Sequence, residues 1–214
     1  MVEKEFVKKA IANIEIETNR YSILNLAVRD ARLITGRNID TGKLLQNEFL
    51  VNKMGEPLDQ YSFIGIINYL LILDMIGNAF SIKQFTTTKT TSIYKSLKQF
   101  STLNDDDIYA IIALRNSLAH NYSLVNIPAH KEFSSKLHHF KLINGSTQKM
   151  IKIKSKWGNP NNSKSEINET VIGVDNLLDM IEGVILNLKK ENELDNLELN
   201  LDFNQFVMRY TVQN

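Results

Sequence analysis

The sequence predicts a mainly α fold, a bundle of five or more helices with one β-hairpin inserted after the fifth. Three observations predict it. Apolar residues recur every three or four positions over several long segments, which is the spacing of helices with one buried face. Residues 60–80 are apolar nearly all round, as in the central helix of a bundle. Two short alternating or β-branched runs flank Asn144 and Gly145, the commonest turn pair of a hairpin.

The first elements follow from the distribution of glycine and proline. Residues 3–34 contain neither, and their apolar spacing predicts one long helix or two abutting helices, ended by Gly36. The glycine-containing segment 36–58 reads as a long connection, with at most a short helix at 43–50. Asp59 is suitably placed to cap the helix 60–80.

The later elements have clearer start and end signals. Asn104 precedes Asp105, Asp106 and Asp107, and a capping side chain followed by three carboxylates predicts a helix start, with the helix running to Ala119 or Asn121. The other predicted elements are a helix at 91–101, a polar loop at 158–169, a helix at 174–190 and a terminal helix within the last 20 residues. The chain is therefore expected to form a single domain, 1–214, with a bundle core of about 1–124 and 170–214 and a hairpin insertion of about 131–157.

Composition excludes several classes of function. The 214 residues carry a formal charge of +1, so no global field attracts a polyanion, and any contact with nucleic acid must use a local patch. The absence of cysteine excludes disulfides, thiolate zinc sites and cysteine nucleophiles, and is typical of a cytoplasmic protein. The most apolar stretch, 63–76, is too short to span a bilayer and contains Asn68 and Asp74, so no membrane association is expected.

The stretch ALRNSLAHNY, 113–122, places four polar groups in an otherwise apolar helix. Arg115 and Tyr122 continue its buried stripe, and a guanidinium there needs an anionic partner, an interface or a cleft. Asp74, inside the most apolar helix, either pairs with Arg115 or faces solvent. Asn116 precedes His120 by four residues, so its amide can hydrogen-bond the imidazole and select its tautomer.

Arginine and histidine together suit the cleavage of RNA. The 2′-hydroxyl lies beside each phosphodiester, so cleavage needs only a group that moves a proton and a fixed cation that stabilises the phosphorane. Imidazole does the first near neutral pH, and guanidinium does the second, without a metal ion. Arg115 and His120 lie about 140° apart on a helix of about 3.6 residues per turn, which favours half a site on each chain.

RNSLAHNY resembles the signature of the HEPN superfamily: an arginine, a polar residue and, after a short gap, a histidine. With Tyr122 it is similar to the Arg-x4-His-x-Tyr form of HEPN toxins, and YSFIGIINYLLILDMIGNAF resembles the helix beside that motif. The resemblance implies a metal-independent endoribonuclease of a toxin–antitoxin or phage-defence system, active as a homodimer without a cofactor. Arg115 and His120 would be catalytic, Asn116 would orient them and Tyr122 would line the site. In some of these systems a partner nucleotidyltransferase, the antitoxin, adenylylates the matching tyrosine.

Simpler interpretations remain open. Arg115 and His120 can cap carbonyl groups at a helix end, and Tyr122 can be an ordinary core residue. The domain can also be a catalytically silent HEPN module that binds nucleotide or RNA, or a structural helical dimer in which Arg115 forms an interface ion pair. The four histidines lie close in sequence but fit no standard metal-ligand spacing, so no metal site is predicted.

A basic segment follows the motif. Residues 131–156 contain seven lysines and one acid, Glu132, and aromatic residues are interspersed with them. Such a pattern is typical of a platform for single-stranded RNA. It is also typical of an edge hairpin protected from aggregation by lysine. The residues predicted to bind RNA are Lys141, Lys152, Lys154, Lys156 and Trp157.

Overall fold

The computed structural model describes residues 2–45, 62–126, 138–143, 149–154 and 169–213. Within these ranges the chain forms seven helices and nine short strands. The helices are α1 (Val2–Ala12), α2 (Ile23–Ile34), α3 (Phe63–Ala79), α4 (Ser92–Phe100), α5 (Asp105–Asn121), α6 (Val174–Glu193) and α7 (Phe203–Tyr210). The strands are β1 (Glu15–Glu17), β2 (Arg20–Ser22), β3 (Phe80–Ile82), β4 (Val125–Asn126), β5 (His138–Ile143), β6 (Ile151–Lys152), β7 (Glu169–Gly173), β8 (Leu197–Leu199) and β9 (Thr211–Gln213). The prediction of a helix-rich fold with at least five helices is confirmed.

Helix α3 is central, as its apolar composition predicted, and packs against α2, α4, α5 and α6. Its inward side chains, including Tyr69, Leu70, Leu73 and Ile76, are fully buried. Gly77 allows α4 to approach closely, since a Cβ there would lie 1.8 Å from the carbonyl oxygen of Ser92. The helix begins after Ser62; the predicted cap, Asp59, lies outside the described residues.

Of the two alternatives for residues 3–34, one long helix is wrong, and the two helices that form are separated by a hairpin instead of abutting. Strands β1 and β2 form an antiparallel hairpin between α1 and α2, and Asn19 adopts φ 61° in its turn. Asn25 explains the break, because its Nδ2 donates to the carbonyl oxygens of Ala10 (2.8 Å) and Asn13 (2.9 Å). These bonds satisfy carbonyl groups that a continuous helix would have used. The Ser22 hydroxyl accepts from the Asn25 N–H and caps α2.

The remaining helices agree with the sequence. The Asn104 side chain accepts from the Asp107 N–H at 3.0 Å, which caps α5 as expected. Gly36 follows α2 at φ 68°. Phe206 of α7 is buried against Phe80, with ring centroids 5.7 Å apart, so the terminal helix packs on the body. Of the short helix expected at 43–50, residues 43–45 are not helical, and the rest lies outside the described residues.

The predicted hairpin around Asn144 and Gly145 is wrong. Its two runs form β5 and β6, but β7 lies between them in a sheet of order β4-β5-β7-β6. Strand β5 pairs with β7 in parallel, and β6 pairs with β7 antiparallel. Strand β7 begins at Glu169, the last residue of the predicted polar loop 158–169. Its Thr170 and Ile172 are fully buried. This central strand, whose alternate side chains are buried, supplies backbone partners to both runs, so it replaces their direct pairing.

No helix in the described ranges is long and apolar enough to cross a membrane.

Candidate functional site

An ion pair between α3 and α5 forms the centre of the candidate site. Arg115 NH2 lies 2.6 Å from Asp74 Oδ2, so the Asp74–Arg115 pair considered from the sequence is present. The two side chains are 23% and 28% exposed. Asp74 Oδ2 is buried and has no hydrogen bond of normal geometry among the described residues, so its contact with NH2 is an ion pair. Arg115 Nε is buried and likewise has no hydrogen-bond acceptor in the described part of the chain. Arg115 therefore has the anionic partner that its position required.

The other terminal nitrogen of Arg115 brings the motif residues together. Arg115 NH1 lies 3.2 Å from His120 Nε2 and donates to Asn116 Oδ1 at 3.1 Å. Because a guanidinium can only donate, Nε2 is the acceptor and the imidazole hydrogen is on Nδ1. The expected bond from Asn116 to His120 is not formed in the described part of the chain. The length of the arginine side chain bridges the five-residue separation, and Arg115 itself selects the tautomer.

Burial dominates the electrostatics of Asp74. Removal from water raises the pKa of this carboxyl above its ordinary value, and the positive charge of Arg115 offsets only part of that shift. A partly desolvated carboxylate beside an arginine and a histidine is the kind of arrangement that is enriched at functional sites. The Asp74 charge anchors one edge of the guanidinium and leaves the other edge towards His120.

No family model, curated protein or solved structure matches the chain.

Tyr122 ends α5 and differs from the sequence prediction. Its backbone is left-handed (φ 48°, ψ 43°), and its N–H donates to the carbonyl oxygen of Leu118 at 3.1 Å. This cap turns the side chain out, so Tyr122 is 63% exposed and does not continue the buried stripe. Its ring lies 6.1 Å from that of Phe63, between centroids, and its hydroxyl bonds neither Arg115 nor His120 in the described residues.

An apolar strip borders the ion pair on α3. Ile64, Ile67, Leu71 and Asp74 follow helical spacing and share the least buried face of α3, where Ile67 also packs partly against the core. Ile64 and Leu71 are exposed, as is Phe63 beside them. We call these residues, Phe63, Ile64, Ile67 and Leu71, the α3 strip. An exposed apolar patch bordered by polar residues is typical of a protein interface.

The lysines predicted to bind RNA do not all lie on one exposed surface. Lys141 of β5 and Lys152 of β6 both lie opposite Val171 of β7, so they share one face of the sheet. Both are exposed, and two strand spacings separate them by about 10 Å. Lys154 is only 5% exposed and burial lowers its pKa, so it does not belong to that open face. Lys156 and Trp157 lie outside the described residues.

A second buried ion pair was not predicted. Arg32 Nε and NH2 donate to the two carboxylate oxygens of Glu182 at 2.9 and 2.6 Å, and the Tyr69 hydroxyl donates to the same carboxylate at 2.5 Å. The bond to Glu182 raises the pKa of Arg32, and burial raises the pKa of Tyr69. The only sequence signal was that Arg32 and Glu182 each adjoin the buried stripe of an amphipathic helix. Arg32, Glu182 and Tyr69 bond one another, so we infer that this cluster stabilises the fold.

The described residues contain no group of three or more histidine, aspartate or glutamate side chains arranged to hold a metal ion.

Proposed function

We propose that the chain is a metal-independent endoribonuclease of the HEPN type, from a toxin–antitoxin or phage-defence system, that cleaves single-stranded RNA as a homodimer. The observation that supports it most is the 3.2 Å contact between Arg115 NH1 and His120 Nε2. A permanent cation and a proton acceptor then lie within the width of one phosphate group. That is the minimum that cleavage beside a 2′-hydroxyl requires.

The proposed reaction is an internal transesterification. His120 Nε2 leaves its contact with Arg115 and takes the proton of the 2′-hydroxyl, whose oxygen attacks the adjacent phosphorus. Arg115 stabilises the negative charge of the phosphorane. The bond from phosphorus to the 5′-oxygen breaks, and that oxygen takes a proton from the second His120 of the dimer, which enters the reaction as imidazolium and leaves it neutral. The first His120 ends the step as imidazolium, so the protons balance. The products are a 2′,3′-cyclic phosphate and a 5′-hydroxyl.

The other predicted residues have supporting roles in this proposal. Asp74 holds one edge of the guanidinium, and Asn116 holds NH1, so Arg115 is oriented before RNA binds. Lys141 and Lys152 bind the phosphates of the flanking RNA. The exposed hydroxyl of Tyr122 is accessible for adenylylation by a nucleotidyltransferase antitoxin.

One observation favours a second function, a silent HEPN module that binds RNA or nucleotide. Arg115 is already paired with Asp74, so its partial burial does not by itself require a phosphate. The same ion pair would serve as a packing element in a structural helical dimer. An RNA cleavage assay distinguishes both alternatives from a ribonuclease.

Cleavage of RNA by the purified chain is the first test. Labelled single-stranded RNA incubated with the protein in EDTA should yield products that end in a cyclic phosphate. His120→Ala should reduce the rate by about 10²–10⁴-fold, because it removes the group that moves the proton. Lys9→Ala, an exposed residue of α1 away from both the motif and the lysines of the sheet, is the control and should cleave normally. Wild-type protein that binds RNA but never cleaves it would indicate the silent module.

Dimerisation through the α3 strip is the second test. A glutamate at Leu71 would place a charge in the interface, so Leu71→Glu should be a monomer by light scattering and should lose cleavage. Leu186 of α6 is also an exposed leucine, and Leu186→Glu is the control that should stay dimeric and active. A wild-type monomer, or an active Leu71→Glu monomer, would contradict the homodimeric site.

A further inference from the structure

A cleft of about 480 Å³ lies between α1, the C-terminal end of α6 and the two-stranded sheet β3–β8. Its volume is within the usual range for small-molecule sites, about 300–1,000 Å³. No residue of the candidate RNA site lines it. Its apolar lining comprises Val7, Phe80, Leu197, Leu199, Leu201 and Phe203.

Three lysines of the cleft meet at one residue, Asp195. Lys4 and Lys8, one helical turn apart on α1, each bind one oxygen of its carboxylate, with Lys8 Nζ 3.2 Å from Oδ1. Lys83, beyond β3, donates from Nζ to the Asp195 carbonyl oxygen at 2.6 Å. Two ammonium groups of α1 therefore bind the Asp195 carboxylate, and a third, from a different segment, binds the carbonyl oxygen of the same residue.

Asp195 occupies the position that an anionic ligand would take. It lies in the turn after α6 with φ 59°, a left-handed conformation that aspartate and asparagine tolerate. Its side chain is 41% exposed, and ion pairs as exposed as these contribute little to stability. An incoming anion can displace the carboxylate without a large loss. Glu3 and Glu198 also line the cleft, but within the described residues neither pairs with these lysines.

We propose that this cleft binds a small soluble amphiphilic anion. Its acidic head group replaces the Asp195 carboxylate between Lys4 and Lys8, and Lys83 turns to it from the Asp195 carbonyl oxygen. Its apolar body of about ten carbons lies on Leu197, Leu199 and Phe203. The proposal does not depend on the ribonuclease function, because the two sites share no residue.

Decanoate and decanol, matched in chain length, are the probes. Calorimetry with the full chain should detect saturable binding of decanoate and much weaker binding of uncharged decanol. Lys83→Gln should weaken decanoate binding about tenfold, since it removes a charged hydrogen-bond donor. Lys98→Gln removes a lysine that is similarly paired, with Asp105, outside the cleft, and should leave decanoate binding unchanged.

Asp195→Asn provides the sharper result. The substitution keeps the turn conformation and removes the competing carboxylate, so affinity for decanoate should rise about fivefold or more. Affinity that falls or stays equal in Asp195→Asn would overturn the proposal, as would absence of saturable binding.

Sedimentation with phosphatidylglycerol vesicles identifies the source of the anion. If the wild-type chain binds these vesicles and Lys83→Gln does not, the proposal of a soluble ligand is wrong and the cleft binds a lipid surface.

Discussion

Arg115→Ala is expected to reduce RNA cleavage by about 10²–10³-fold and also to destabilise the fold. The first effect follows from loss of the cation that stabilises the phosphorane. The second follows because Asp74, only 28% exposed, loses the partner that offsets the cost of burying its carboxylate. We expect this second effect to lower the free energy of unfolding by about 1–3 kcal/mol. Cleavage rates and urea denaturation measure the two effects separately.

A second substitution separates catalysis from stability. Asparagine at position 74 needs no counter-charge, so Arg115→Ala/Asp74→Asn should recover most of the lost free energy of unfolding and none of the cleavage. Arg29→Ala, which removes a partly exposed arginine paired with Asp30, is the control and should affect neither. A double variant that regains cleavage together with stability would show that Arg115 acts only through packing.

Glu182→Ala is expected to destabilise the protein by about 3–5 kcal/mol, the usual cost of removing one member of a buried ion pair. Arg32 is 10% exposed and Glu182 is 13% exposed, so water cannot replace the lost carboxylate easily. The substitution also leaves the Tyr69 hydroxyl without its acceptor. Gly42 packs directly over the carboxylate, since a Cβ there would lie 2.3 Å from Glu182 Oε2, so the loop after α2 should loosen as well.

Thermal and urea unfolding measure this effect. Glu193→Ala, an exposed glutamate on the same helix, is the control and should change the free energy of unfolding by less than about 0.5 kcal/mol. Arg32→Met/Glu182→Leu removes both charges and should be more stable than Glu182→Ala alone. Unfolding of Glu182→Ala at the wild-type midpoint would show that the pair makes no net contribution.

The helices were predictable because their signals are local. The Asn104 cap, the three aspartates after it and the apolar composition of α3 each act within a few residues. The residues of the candidate site were predictable for a related reason. Four polar groups in an apolar helix need a compensating partner wherever the chain folds, and Asp74 was the available anion in the neighbouring helix.

Strand pairing was not predictable in the same way. The alternation of apolar residues identified the runs that form β5 and β6. Backbone hydrogen-bonding groups are the same in every strand, so the sequence did not show which strand would pair with each run. Strand β7 lies further along the chain and is inserted between them. The break between α1 and α2 likewise depended on one amide, Asn25, that reaches back to the end of the preceding helix.

By itself the sequence determined where most of the helices lie and which polar groups had to find partners. Only the tertiary structure decided which partners they found. His120 contacts Arg115, Arg32 pairs with Glu182, and β5 and β6 both pair with β7. The reason is physical. Helix formation depends on contacts within a few residues, whereas hydrogen bonds and ion pairs between distant residues depend on the packing of the whole chain.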